Sequence, residues 1–275
     1  MGKWQTKFLK DLTLQITDGK HGDCQNQSSS GYFFISCKDI YDGKINYDNA
    51  RQITPDDYWD THRRTRLEVN DILITNSGTI GRMAFINAPE LCTKTTFQKS
   101  VAIVKPDTKK IYPKYLYYLL QNLVGDLINS SNGSAQKNLL LSTMRSFSIR
   151  YLEDIKEQRK IADILSAYDD LIENNRKQIK LLEEAAQRLY KEWFIDLRFP
   201  GYETTPIIDG IPNGWRIGKA IDFFNITIGK TPPRSESQCF TDGNNGIPWV
   251  SIADMGSSGA YIFFHRGRPD CRFNK

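Results

Sequence analysis

The chain has 275 residues, 39% hydrophobic and 25% charged, with a net charge of +5. Those values suit one large or two modest globular domains and exclude a disordered tail, a collagen and a disulfide mini-protein. No apolar run reaches the length of a membrane span and the start carries no apolar leader core, so no membrane contact is expected and the cytoplasm is the expected compartment.

Five scattered cysteines without a C-x-x-C pair and three distant histidines (His21, His62, His265) support neither a disulfide framework nor a metal site. Residues 1–152 hold 20 Lys/Arg against 14 Asp/Glu, residues 153–193 hold 8 against 10, and residues 194–275 hold 9 against 8. The excess positive charge sits in the first region, which suits a nucleic-acid partner or a solvated basic surface.

Over residues 1–152 the runs Tyr32–Ser36, Asp71–Thr75 and Ser100–Val104 read as strands, being rich in β-branched and aromatic residues. Residues 112–128 predict one helix, with Pro113 in its first turn and leucines recurring at spacings of three and four. The expected fold class is therefore α+β. Pro55-Asp56-Asp57 reads as a turn or helix cap, and Tyr32 and Trp59 as core or rim residues. Three polar stretches could face DNA or only water: a flexible loop from Gly19 to Ser30, the run His62–Arg66, and the loop Asn132–Asn138. Arginine forks and amides suit phosphate and base-edge contacts, which makes Lys20, His21, Arg63, Arg64, Arg66, Gln136 and Lys137 the DNA-binding candidates.

Residues 153–199 contain a different pattern, with no Gly or Pro between 153 and 193. Ile161, Tyr168, Asn175, Leu182 and Leu189 lie seven apart, and Leu165, Ile172, Ile179, Ala186 and Trp193 form a second such series four residues later. Together they form a coiled-coil seam of roughly 50 Å, which is the expected subunit interface. Phe199-Pro200-Gly201 stops the helix and opens a linker over 200–212.

Residues 213–275 repeat the start of the chain. Ile16-Thr17-Asp18-Gly19-Lys20 aligns with Ile226-Thr227-Ile228-Gly229-Lys230, and Gly31–Ile40 with Gly246–Met255. The expectation is a duplicated domain, with the second copy incomplete. No P-loop, G-x-G-x-x-G, G-x-S-x-G, N-P-P-Y or metal-nuclease signature stands out, which favours a binding protein over an enzyme.

In this order, several motifs resemble the specificity (S) subunit of type I restriction–modification enzymes. They are Gly31–Ile40, Ser77-Gly78-Thr79-Ile80-Gly81, Gly133–Leu139, Glu157–Leu165, Asp169–Asn175 and Leu189–Gly201. The resemblance implies a non-catalytic chain: target recognition domain 1 over 1–152, a spacer helix over 153–199 and an incomplete second recognition domain over 213–275. The first domain would read one half-site of a bipartite site in double-stranded DNA. The helix would dock methyltransferase (M) subunits, and a restriction/motor (R) subunit would join them. S-adenosylmethionine, ATP and Mg would belong to those partners, with none in this chain. Such subunits carry a second spacer helix that pairs with the first, so the seam here is expected to pair in a homodimer. The alternative is an interaction or assembly protein, or a truncated remnant without sequence-specific DNA binding.

Overall fold

Residues 3–130 and 138–229, with ten isolated positions beyond them, are described by a computed structural model of the chain. Two units separate, Met1–Arg188 and Leu189–Lys275.

In the first unit, four antiparallel strands form the central sheet in the order β2 (Thr13–Asp18), β9 (Val101–Pro106), β6 (Ile72–Thr75) and β7 (Met83–Phe85). Successive side chains on a strand point to opposite faces, so Ile72, Ile74, Ala102 and Val104 join one core while Leu73, Val101 and Ile103 join another. Every residue of β6 and β9 is buried, because both faces of the sheet are covered. One face carries α3 (Pro113–Asn122), α4 (Val124–Asn129) and α5 (Leu141–Ser146) through Leu116, Leu120, Leu127 and Met144. The other meets β3 (Phe33–Ile35) and β8 (Thr95–Phe97), a parallel pair in which Phe34 faces Thr96, together with the short antiparallel pair β4 (Ile40–Tyr41) and β5 (Lys44–Ile45) and the single turn α2 (Pro89–Cys92). A third cluster, Cys24, Phe34, Ile53 and Tyr58, seats α1 (Pro55–Thr65) on β3.

The predicted strands all form. The single helix expected over 112–128 instead breaks at Leu123 into α3 and α4. Gly125, a poor helix former, follows the break, and past that break Val124 and Ile128 pack onto Gly81, where a Cβ would lie 2.8 Å and 2.9 Å from them.

The ends of the domain meet in a ribbon. β1 (Trp4–Phe8) pairs antiparallel with β10 (Ser148–Leu152), Trp4 opposite Leu152, and the chain passes directly into α6 (Ile155–Tyr190), a helix of 36 residues. Gln158, fully buried, roots that helix. The Tyr112 amide donates to its Oε1 at 2.7 Å, and its Nε2 donates to the Leu152 carbonyl at 2.7 Å. Farther along, Tyr118 Oη donates to Asp169 at 2.6 Å, Lys44 pairs with Glu173 at 2.5 Å and Arg176 with Asp42 at 3.4 Å.

Ile161 packs half-buried against the domain core. The remaining apolar seam of α6 lies open: Leu165, Tyr168, Ile172, Ile179, Leu182 and Leu189 are exposed, from 40% at Leu165 to 69% at Leu182, as is Asn175. The α-helix ends at Tyr190 and widens into a π turn over Lys191–Ile195, so Trp193 leaves the heptad phase expected of it.

The second unit holds a two-stranded hairpin, β11 (Ile207–Ile208) with β12 (Ile211–Pro212), turned by Asp209 and Gly210 at positive φ. Trp215 packs there on Phe194 and Phe199 at centroid distances of 5.6 Å and 5.2 Å. Of the predicted repeat, Ile226–Gly229 is exposed; Lys230 and half of Gly246–Met255 lie outside the described residues.

Lys105 on β9 closes the core beside α1. Its Nζ donates to Asp71 and to the Arg66 carbonyl, each at 2.6 Å, and both Lys105 and Asp71 are buried. Burial pushes the Asp71 carboxyl up to about 6 against the pull of Lys105. Lys105→Met leaves that carboxylate buried and unpaired, a change that costs about 3–5 kcal/mol. An acid whose folded pKa is raised destabilises the fold more as pH climbs above its unfolded value of about 3.9. Urea unfolding should therefore show a larger loss at pH 8 than at pH 5.

Candidate nucleic-acid interface

Three strand ends coincide at one end of the central sheet. Asp18, the last residue of β2, pairs with Ala102, and Thr75, the last of β6, pairs with Val101, the first of β9. The segments leaving these ends (18–25, 76–81 and 98–100) share one edge of the domain, and Lys20 bridges to Gln98. Gly19 permits that approach, since a Cβ there would lie 2.0 Å from the Phe97 carbonyl oxygen.

α1 runs beside the first of these segments. Thr54 caps it, accepting from the Asp57 amide at 3.3 Å, and Pro55 occupies its first turn. Positions 57, 60, 61 and 64 share one helical face, so Asp57, Asp60 and Arg64 point at the 18–25 segment. Lys20 donates to Asp57 at 2.8 Å and lies 3.4 Å from Asp60. The Gln25 amide donates to Asp57 at 2.6 Å. Lys20 and that amide hold Asp57 below the usual carboxylate range, and Asp57 in turn raises Lys20. Asp18 is 6% exposed and accepts from His21 Nε2 at 2.8 Å and from Arg64 Nη2 at 2.6 Å. Arg63 pairs with Asp60 at 2.9 Å. Trp59 stands on the outer face of α1, its edge against Tyr58 and His62, while Tyr32 stacks on Tyr58 at 4.4 Å. Burial, with the charges of Lys105 and Arg66, lowers His62 and keeps its ring neutral at pH 7.

Next to His21 lies a depression of about 400 Å³ lined by Asn76, Ser77, Gly78, Lys99, Asn138 and Leu139–Leu141. The side-chain oxygen of Asn76 is buried there and accepts no hydrogen bond from the described residues. A smaller hollow of about 250 Å³, between Lys20, Gly22, Phe34 and Gln98, shares Lys99 with it. Lys99 is exposed and has no acidic partner among the described residues. No group of three or more His, Cys, Asp or Glu able to hold a metal occurs among those residues, and none of their helices is long and apolar enough to cross a membrane.

The structure thus brings together four sequence candidates: Lys20, His21, Arg63 and Arg64. Arg66 stands apart as the left-handed C-cap of α1 (φ 41°), its amide bonded to the His62 carbonyl. Gln136 and Lys137 lie outside the described residues. The loop from Gly19 to Ser30, expected to be flexible, is pinned by Asp57 and by Arg51, which bonds Asp23, Asn26 and the Cys24 carbonyl. Sequence reasoning missed Asp18, Asp60, Asn76 and Lys99. Only Asp57 carried a local signal, as a helix-cap residue.

Residues 1–184 match the type I restriction modification DNA specificity domain, and the chain belongs to that family. It is 35% identical over 190 residues to the type I restriction enzyme MjaIX specificity subunit of Methanocaldococcus jannaschii, covering 67% of this chain and 42% of that protein. It is 30% identical over 148 residues to the EcoBI specificity subunit of Escherichia coli, covering 52% and 30%. The S subunit of a type I restriction–modification system from M. genitalium has a similar fold, with a TM-score of 0.53 at 16% identity over 70% of this chain and 46% of that one. The chain spans less than half the length of each of these three relatives.

The Lys20–Asp57 pair provides a test of this edge. In a carboxyl titration by NMR, Asp57 should titrate below the ordinary carboxylate range in the wild type. It should move up toward about 3.9 in Lys20→Met, which removes the main cause of its depression.

Proposed function

We propose that this chain is the DNA sequence-recognition subunit of a type I restriction–modification system, with residues 1–152 reading one half-site of a bipartite target. The observation that carries this reading is the family match over 1–184, which spans the edge described above and most of the long helix. A domain rooted on a helix of about 50 Å suits a ruler between half-sites and a dock for methyltransferase subunits. A restriction/motor subunit completes the cleaving complex. The chain itself is non-catalytic and acts in the cytoplasm; S-adenosylmethionine, ATP and Mg serve the partner subunits.

Co-purification with the methyltransferase subunit, followed by mapping of methylated adenines, tests this reading. One sequence motif is expected among the methylated sites, and the pure chain with S-adenosylmethionine should transfer no methyl group. Stable association without a motif would instead mark an assembly protein.

The exposed seam of α6 supports a second step, an antiparallel homodimer through Leu165, Tyr168, Ile172, Ile179 and Leu182 that presents two reading domains to a palindromic target. Light scattering at tens of micromolar should give a dimer. Ile172→Asp, which buries a charge in the seam, should give a monomer with unchanged circular dichroism.

A further inference from the structure

The cations that the sequence offered on this edge are already paired. Lys20, Arg63 and Arg64 each lie within 3.4 Å of a carboxylate, supplied by Asp57, Asp60 and Asp18. Three cations meet three anions. A cation that already holds a carboxylate releases few DNA counterions when a phosphate approaches, so this cluster is a poor source of sequence-independent affinity.

Geometry gives it another use. Asp18 is buried to 6% and holds two partners at once, His21 on one oxygen and Arg64 on the other. Both partners reach solvent, with side-chain exposures of 58% and 50%. Arg64 bonds Asp18 through Nη2 alone. Nη1 and one Nη2 hydrogen remain as donors for a base edge such as O6 and N7 of guanine. An arginine fixed beforehand loses little side-chain freedom on meeting a base. Lys99, which lines the same depression as His21, has no carboxylate to neutralise it among the described residues.

We infer that Asp18 is a positioning residue, that Arg64 and His21 held on it read a guanine-containing base edge, and that the phosphate attraction comes from uncompensated cations such as Lys99. This rests on the DNA-recognition reading above and divides labour within that site.

The test uses the full chain assembled with its methyltransferase subunits and duplexes selected from a pool with a randomised centre. Affinities for the selected and a scrambled duplex are measured from 50 to 200 mM KCl. If the wild-type complex does not prefer the selected duplex, the recognition reading itself fails. Given that preference, Arg64→Ala should reduce it about 10- to 100-fold, relax one guanine position and leave the salt slope within about 0.3. Lys99→Ala should weaken both duplexes alike and reduce the slope by about 0.9. Asp18→Asn should lose discrimination as Arg64→Ala does, yet steepen the slope, because the freed guanidinium then meets phosphate. A purely structural Asp18 would leave the slope unchanged. Arg64→Ala alters an exposed side chain and decides the matter even if Asp18→Asn does not fold: a slope reduced by about 0.9, with equal weakening of both duplexes, overturns the inference.

Discussion

Gln158 is the constraint on which the first unit is organised, because its one side chain joins the sheet domain to the long helix. Its amide is used at both ends, accepting from the Tyr112 backbone just before α3 and donating to the last carbonyl of β10. The bond to Leu152 is buried and the one from Tyr112 partly so; losing the buried one would strand a backbone carbonyl at about 1–3 kcal/mol. The helix therefore leaves the domain at a fixed root. A second set of contacts at Asp169, Glu173 and Arg176 holds it as far as 18 residues later, about 27 Å along the axis. These outer pairs are exposed, and such pairs contribute less than about 1 kcal/mol each. They trim the direction that the buried root establishes.

The same economy applies at the other end of the sheet. Both faces of β6 and β9 are covered, so the strands end in a stiff, fully packed block. Polar residues placed just past those ends inherit its rigidity, which loop tips ordinarily lack. Asp18 is the last strand residue of β2, and Asn76 and Lys99 follow or precede strands by one or two positions. The candidate interface is thus built on strand termini, with α1 fastened alongside by Thr54, Asp57 and the Tyr58 cluster.

Much of this was legible in one dimension, for local reasons. Runs of β-branched and aromatic residues marked β3, β6 and β9, and a seven-residue period marked α6 without any knowledge of its partner. What escaped depends on contacts distant in sequence. Near Leu123 only Gly125 hints at a break, whereas the packing of Val124 and Ile128 on Gly81 comes from another segment. The arginines at 63 and 64 were visible as a cluster, whereas the carboxylate that orients Arg64 lies 46 residues away. Trp193 fitted the heptad arithmetic, yet the π turn after Tyr190 takes it out of phase.

Counting cations and counting unpaired cations point to different parts of the domain, for a physical reason. A sum of Lys and Arg measures charge that could act at a distance, whereas a site acts through charge left over after its own carboxylates are satisfied. The first region carries an excess of six positive charges, yet Lys20, Arg63 and Arg64 are balanced one for one by Asp57, Asp60 and Asp18. The excess must therefore reside elsewhere on the domain, on solitary lysines such as Lys99 and on Arg66 at the end of α1. Attraction spread over separated, solvated cations draws DNA in without choosing a sequence. Choice requires donors whose directions are set before the base arrives, and a buried carboxylate with two partners sets them at the cost of cancelling the charge.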